Sequence, residues 1–289
     1  MTKIQISKLF KNEKKQVLLE DFSRQFLPAT VSALAGTDFN SANSLFELIA
    51  GQAKLDDGSI LIDGQDSYKA RKKLADQIGY VDGNDKNSLR GTVDEVISST
   101  VKKNNGGISK DQVAAILKQL DIHLIEPADG LEAGRLQQLK IIVEIAKGKS
   151  ILLLANPTAE MNELQRTQIW QLLRDFAKKT QAIIIFSSDS ISEMQYFADE
   201  ILYIDNGKLR HVQKLITHDT TDCLVTVKGT GFPVAMAETL GSFVIREAND
   251  EIRFIFSGNI QALLPLLEQS TITDIRISDV TVKDELMRF

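Results

Sequence analysis

Apolar and polar residues alternate from Lys3 to Leu9 and again from Val17 to Phe26. A period of two is what a half-buried strand requires, so the pattern predicts two antiparallel strands joined around Lys11 to Gln16, with Phe10 in the connection. Val31 to Gly51 reads as an apolar strand, a small polar loop and an amphipathic helix that starts near Ala42, with Asn40 or Ser41 as its cap. The turn Asp56-Asp57-Gly58 leads into a short strand, Ser59 to Asp63, and Ile78 to Val81 is a further buried strand. From Thr92 to about Leu124 the spacing becomes helical, with Val93, Val96 and Ile97 in one element and Val113, Ile116, Leu117 and Leu120 in the next. The polar run Lys102 to Gly107 separates them as a solvated loop.

Beyond that insertion, strands and helices take turns. Leu131 to Lys147 is helical, and Lys149 to Leu154 is an aliphatic run of the kind that is buried on both faces. Glu163 to Lys178 is a helix with Leu164, Ile169, Leu172 and Phe176 along one side; Ala182 to Phe186 is a strand, Ser190 to Phe197 a helix and Ile201 to Ile204 a strand closed by Asp205-Asn206-Gly207. This alternation implies a parallel sheet with helices on its faces. After His211 the order becomes strand (Cys223 to Val227), helix (Pro233 to Leu240), hairpin (Phe243 to Glu247 and Ile252 to Phe256), helix (Ile260 to Gln269) and strand (Ile272 to Ile277), with a short terminal helix over Val282 to Phe289. That is the βαββαβ order of the ferredoxin-like split unit. Two domains are expected, residues 1–211 with a helical subdomain at about 84–130, and residues 212–289, with the boundary near 212–221, where HVQKLITHDTT shows no strong periodicity.

Composition narrows the class. With 289 residues, 43% hydrophobic and 25% charged, the chain is an ordinary globular protein long enough for two domains. A net charge of -5 argues against a protein that coats nucleic acid, so no nucleic-acid partner is expected. One cysteine, Cys223, excludes an intrachain disulfide framework and reads as a small core residue. No stretch approaches the roughly 18 apolar residues of a membrane span, so no direct insertion is expected, and any membrane role would need a partner.

The segment Val31–Gly51 has the layout of a phosphate cradle without its chemistry. In GxxxxGK[ST], glycines let backbone N–H groups approach phosphate, the lysine reaches the β- and γ-phosphates and the hydroxyl holds Mg²⁺. Here Gly36 is followed by Thr37, Asp38, Phe39 and Asn40, and then Ser41 stands at the second glycine, Ala42 at the lysine and Asn43 at the hydroxyl, with Ser44 next to it. Further on, Leu45 to Gly64 (LFELIAGQAKLDDGSILIDG), the strand IGYV, the segment LEAGRLQQ, the aliphatic run ending in Ala155-Asn156-Pro157-Thr158, and IIIFSSDS follow in a fixed order.

In that order and at those separations, Lys3 to Leu209 resembles the nucleotide-binding subunit of ABC transporters. The resemblance implies an α/β P-loop NTPase fold with a helical subdomain, followed by the small α+β ferredoxin-like domain. It also assigns positions: the Q-loop glutamine falls at Gly83, and the LSGGQ-type signature at Leu131, Glu132, Ala133 and Gly134, with Leu136 at a glutamine. The Mg²⁺-linked aspartate of Walker B falls at Ala155, the catalytic glutamate at Asn156, the D-loop aspartate at Asn162 and the switch histidine at Ser188. Phe10 is placed like the aromatic residue that stacks on adenine. Each position that would touch phosphate, metal or attacking water is replaced, while Gly36, Gly51, Gly58, Gly79, Pro157 and Gly207 remain.

The resemblance therefore implies a vestigial nucleotide site at Phe10 and Gly36 to Ser44, with no catalytic residue, no metal and no cofactor expected, and ATP with Mg²⁺ held weakly at most. Asp38 in the loop and Glu132 in the signature add charge of the same sign as a triphosphate. The expected role is an ATPase-inactive cassette subunit of a drug- or peptide-type exporter, since TDIRISDVTVKDELMRF resembles the tail of such exporters' accessory domains. It would pair with a second cassette, either a competent one or a copy of itself, and dock a membrane permease near Gly83 and the helical insertion. It would then sit in the cytoplasm, peripheral to the inner face of the cell membrane. The alternative is a regulatory or binding module that has left transport.

Overall fold

The computed structural model describes residues 2–13, 16–36, 39–83, 89–102, 108–215, 222–248 and 250–288. In chain order the elements are β1 (Ile4–Glu13), β2 (Gln16–Phe26), β3 (Val31–Gly36), α1 (Phe39–Ile49), β4 (Asp57–Ile62), β5 (Gln65–Asp66), α2 (Arg71–Leu74), β6 (Ile78–Asp82), α3 (Val93–Lys102), α4 (Lys110–Gln119), α5 (Ala133–Ala146), β7 (Ile151–Ala155), α6 (Glu163–Thr180), β8 (Ile183–Ser187), α7 (Ile191–Phe197), β9 (Glu200–Asp205) and β10 (Lys208–Lys214). The C-terminal unit adds β11 (Cys223–Thr230), α8 (Val234–Thr239), β12 (Ser242–Ala248), β13 (Glu251–Phe256), α9 (Leu264–Glu268), β14 (Thr271–Asp279) and α10 (Val282–Leu286).

The central sheet runs β10-β9-β3-β8-β7-β6, parallel except for its antiparallel edge β10. β7 and β8 are buried at every residue, which their unbroken aliphatic runs require, since neither has a polar face to offer solvent. One face packs against α1 and the antiparallel sheet β2-β1-β4-β5, through Leu45, Phe46, Phe22, Phe26 and Ile60. On the other face α6 and α7 bury Trp170, which lies against the rings of Phe186 and Phe197. α3, α4 and α5 enclose a separate apolar cluster around Ile97, Leu117 and Ile142, the helical subdomain expected from the spacing.

In the C-terminal unit the strand order is β12-β13-β11-β14, all pairs antiparallel, which is the split βαββαβ topology. Helices α8 and α9 cover one face over Phe254 and Phe256. The other face turns Leu224 and Ile255, with Val280, into the same core as Ile201 and Tyr203 of the cassette-like unit.

Several expectations are corrected. Phe10 lies inside β1, opposite Asp57 of β4, because β1 continues to Glu13 past the predicted end. α1 starts at Phe39, not near Ala42. On α6 the buried stripe is Ile169, Trp170, Leu173, Phe176 and Ala177, while Leu164 is exposed. The predicted helix over Ile260 to Gln269 divides into a 3-10 turn, Ile260–Leu263, and α9, where Pro265 in the first turn cannot continue the preceding hydrogen-bond ladder. β10 crosses residues 211 and 212 as an edge strand with no buried residue, so it lacks the alternation that reveals strands in sequence. β5 and α2 are too short to leave a periodic signal.

A buried ionic cluster within the C-terminal unit ties the start of β11 to α10. Arg288 Nη1 reaches Asp222 Oδ2 at 2.7 Å and Glu285 Oε2 at 3.1 Å, and Glu285 is 0% exposed. Burial, and then the Asp222 carboxylate, pushes the Glu285 carboxyl from its ordinary 4.5 up to about 7 against the opposing pull of Arg288. The folded chain thus keeps a proton there that the unfolded chain has lost. Stability falls as pH rises from about 4.5 to about 7 and is level above that. In Glu285→Gln this fall disappears. Thermal melts should place the variant above the native chain at pH near 8, by at most about 3 kcal/mol, with the gap narrowing toward pH 5.

Candidate functional site

The carboxyl ends of β3, β8, β7 and β6 lie side by side, with Leu34 level with Ser187, Ser187 with Ala155, and Ala155 with Asp82. This is the sheet edge at which open α/β folds bind ligands. It brings Gly36 and Ser41 to Ser44 to one edge with Gly83, Ala155, Asn156 and Ser188. Thr37 and Asp38 lie outside the described residues, as do the side chains of Phe39 and Asn40.

Because α1 begins at Phe39, only two residues separate it from β3. Inside a helix each N–H is bonded four residues back, so the amides of Asn43 and Ser44 fall within the hydrogen-bond ladder of α1. Ala42, at the lysine position, is 6% exposed and belongs to the apolar core with Leu45, Phe46 and Leu34. Ser41 and Ser44 are also buried. The segment from Val31 to Gly51 contains no basic residue.

The neighbouring strand ends are stitched to one another. The Asn156 N–H donates to the carbonyl of Ser187 at 3.1 Å and to its hydroxyl at 3.2 Å, and the Gly83 N–H donates to the Ala155 carbonyl at 2.7 Å. Asn156 takes φ of 43°, a left-handed conformation that asparagine tolerates. Its carbonyl oxygen occupies the place where any Cβ on residue 83 would go, so a glutamine there cannot be accommodated without moving β7.

Ser188, at the switch position, is buried and donates to Glu193 Oε2 at 2.6 Å. Glu193 Oε1 accepts from Thr158 Oγ1 at 2.6 Å and from Trp170 Nε1 at 2.7 Å. One carboxylate therefore ties β7's exit, α6 and α7 together. Sequence reading missed Glu193: a glutamate three residues after Ser190, whose hydroxyl accepts its N–H at 3.2 Å, reads locally as an exposed first-turn acid.

The signature residues stand apart, at the start of α5. Glu132 is its N-cap but makes no capping bond, Ala133 is exposed and Leu131 half-buried. Gly134 is buried against the chain itself, since a Cβ there would meet the Glu160 carbonyl at 2.8 Å and the Gln165 side chain. Gln165 is fixed by a capping box with Asn162, so the D-loop position serves as the N-cap of α6. Phe10 stays half-buried in β1, its carbonyl accepting from the Asp56 N–H. Among the described residues no group of three or more His, Cys, Asp or Glu could hold a metal ion.

Residues 28–159 match the family described as ABC transporter. The dimeric structure of a bacterial ABC transporter cassette superposes with a TM-score of 0.63 at 18% identity, covering 74% of this chain and 99% of that one. Residues 28–159 are an ABC transporter cassette domain. A Clostridium tetani protein named as an ABC transporter ATP-binding protein is 27% identical over 71% of the chain and 48% of its own length. A Chlorella vulgaris protein named as a sulfate/thiosulfate import ATP-binding protein is 27% identical over 68% of the chain and 86% of its own length. The chain thus spans about half the length of the first of these relatives.

Away from the strand ends, the cassette has a concavity of about 590 Å³ between Gly51, α2, Tyr80 and the end of α5, lined by Arg71, Lys72, Lys147 and Lys149 with Glu144. Burial lowers the Lys149 ammonium pKa, and its Nζ donates to the Ala75 carbonyl at 2.7 Å. Tyr80 is pushed up to about 12 by burial and then by Asp82 and Glu47.

Removing the Glu193 carboxylate would strand three buried donors. Glu193→Ala should therefore destabilise the cassette by about 3 kcal/mol in urea unfolding, with a loss of near-UV signal from Trp170.

Proposed function

We propose that this chain is an ATPase-inactive cassette subunit of an ABC exporter, pairing with a competent cassette and coupling to a membrane permease without hydrolysing ATP itself. The observation that carries this reading is the junction of β3 and α1. The helix begins at Phe39, and Ala42 is packed into the core where the family places its lysine. Ala155, Asn156 and Ser188, at the metal, base and switch positions, are tied into the strand ends or to Glu193 and offer no free acid or base.

The magnitudes favour inactivity. A charge-assisted bond to phosphate contributes about 1.5 to 3 kcal/mol, and each lost transition-state donor costs about 10² to 10³ in rate. These groups act as a unit, so their losses are not additive, but a site lacking all of them has no useful turnover.

ABC cassettes work as dimers on membrane permeases, and the same arrangement is our reading here. No helix among the described residues is long and apolar enough to cross a membrane, so on this reading the chain reaches the inner face of the membrane through its permease. The permease would dock near Gly83 and the helical subdomain, with the basic concavity beside Tyr80 as an adjoining contact. Residues 1–211 would carry the cassette work and 212–289 would act as the accessory domain, whose βαββαβ order supports an exporter.

Calorimetric titration of the full chain with ATP and Mg²⁺ should give no saturable heat up to about 1 mM ATP, where a competent site with three charge-assisted bonds would be saturated. Saturable binding together with phosphate release would overturn the inactive assignment. Co-purification of a second cassette and a permease would support the subunit role, and elution with neither would favour a regulatory module.

A further inference from the structure

β14 closes one side of the C-terminal sheet and has no strand on its outer edge among the described residues. The opposite edge strand, β12, differs in that its Phe243 and Ile245 are partly buried against the apolar cluster that includes Leu224 and Ile255. β14 is nine residues long and exposed at every position from Ile275 to Asp279, with Ile275 39% and Ile277 54% exposed. The two isoleucines share a face, because the register sets them opposite Val227 and Val225 of β11. A long edge of this kind is normally blunted by proline, by charged side chains, above all lysine, or by a bulge. β14 contains no proline and no lysine, and its register shift against β11 lies near its start, opposite Lys228 and Gly229.

The order Asp274-Ile275-Arg276 is self-complementary. If two β14 strands run antiparallel about Ile275, each Asp274 faces the other chain's Arg276, Ile275 faces its twin and Thr273 faces Ile277. A slip of two residues, the smallest that keeps the faces matched, sets Asp274 against Asp274 or Arg276 against Arg276. Charge thus selects one register. Within one chain Arg276 Nε bonds Asp274 Oδ2 at 3.0 Å with its side chain 75% exposed, a surface pair of about 0–1 kcal/mol that can be exchanged for the cross-chain pairs at little cost.

We propose that β14 is a self-recognition edge through which two copies of this chain join, antiparallel about a two-fold axis at Ile275, to make one continuous sheet. The contact is isologous, as a closed dimer requires. It is small, so association is weak, with a dissociation constant in the micromolar range. It is independent of the nucleotide site and holds whether or not that site binds ATP.

Sedimentation velocity of the full chain from about 1 to about 200 µM, bracketing that range, tests it. The native chain should show a monomer–dimer equilibrium, and Arg276→Asp alone and Asp274→Arg alone should each weaken it at least tenfold. An equimolar mixture of the two variants should restore dimer, because every facing charge is then opposite. In a Cys223→Ser background, Ile275→Cys should cross-link under mild oxidation, whereas Thr271→Cys, which faces Asp279, should not. A native chain that stays monomeric, a mixture that fails to dimerise, or a dimer indifferent to both reversals would each overturn the proposal. The last result would place the second copy on another surface, such as the cassette face.

Discussion

β7 and β8 have no residue that reaches solvent, and a strand with no polar face exists only with a layer packed on either side. That requirement fixes α1 and the antiparallel sheet on one face of the central sheet and α6 and α7 on the other. It also fixes where chemistry can occur. With both faces covered, the sheet is open only at its strand ends, and there the backbone groups of Ala155, Asn156 and Ser187 need partners. They find them in one another and in Gly83.

Contacts of the same kind fix framework positions independently of any ligand. Gly134 sits in a signature-like segment, yet the Glu160 carbonyl and Gln165 side chain forbid a Cβ there whether or not phosphate ever binds. Gly58, at φ of 90°, lies against the carbonyls of Ser7 and Lys8, and only glycine fits. Asn162 caps α6 as well as an aspartate would. Folding alone therefore accounts for these positions. Ala42 packs in the core, the Asn156 N–H donates to the Ser187 hydroxyl and Ser188 donates to Glu193.

The central strands, the helical subdomain and the C-terminal βαββαβ order were legible because each rests on a hydrophobic period or an unbroken apolar run. The start of α1 was not: Phe39-Asn40-Ser41 reads as loop and cap, and nothing local signals that the helix takes in residues the phosphate cradle would need. Phe10 was misplaced because β1 carries polar residues on to Glu13, with register irregularities against β2. Glu193 and Glu285 were invisible for a different reason. Each lies on a short helix where an acid is expected to face water, and only the tertiary packing of Trp170 or Arg288 encloses it.

Those two buried acids also differ in kind. Glu193 receives three donors, Ser188, Thr158 and Trp170, so its lone pairs are well used and the junction it holds is rigid. Glu285 shares one guanidinium with Asp222, so two carboxylates compete for a single cation in a buried seam. The first satisfies its surroundings, and the second stays partly frustrated unless it takes up a proton. Asp222, Glu285 and Arg288 all come from the C-terminal unit, so this frustration is held within that unit, beside the apolar side of α10, whose Val282 and Leu286 pack on the shared core.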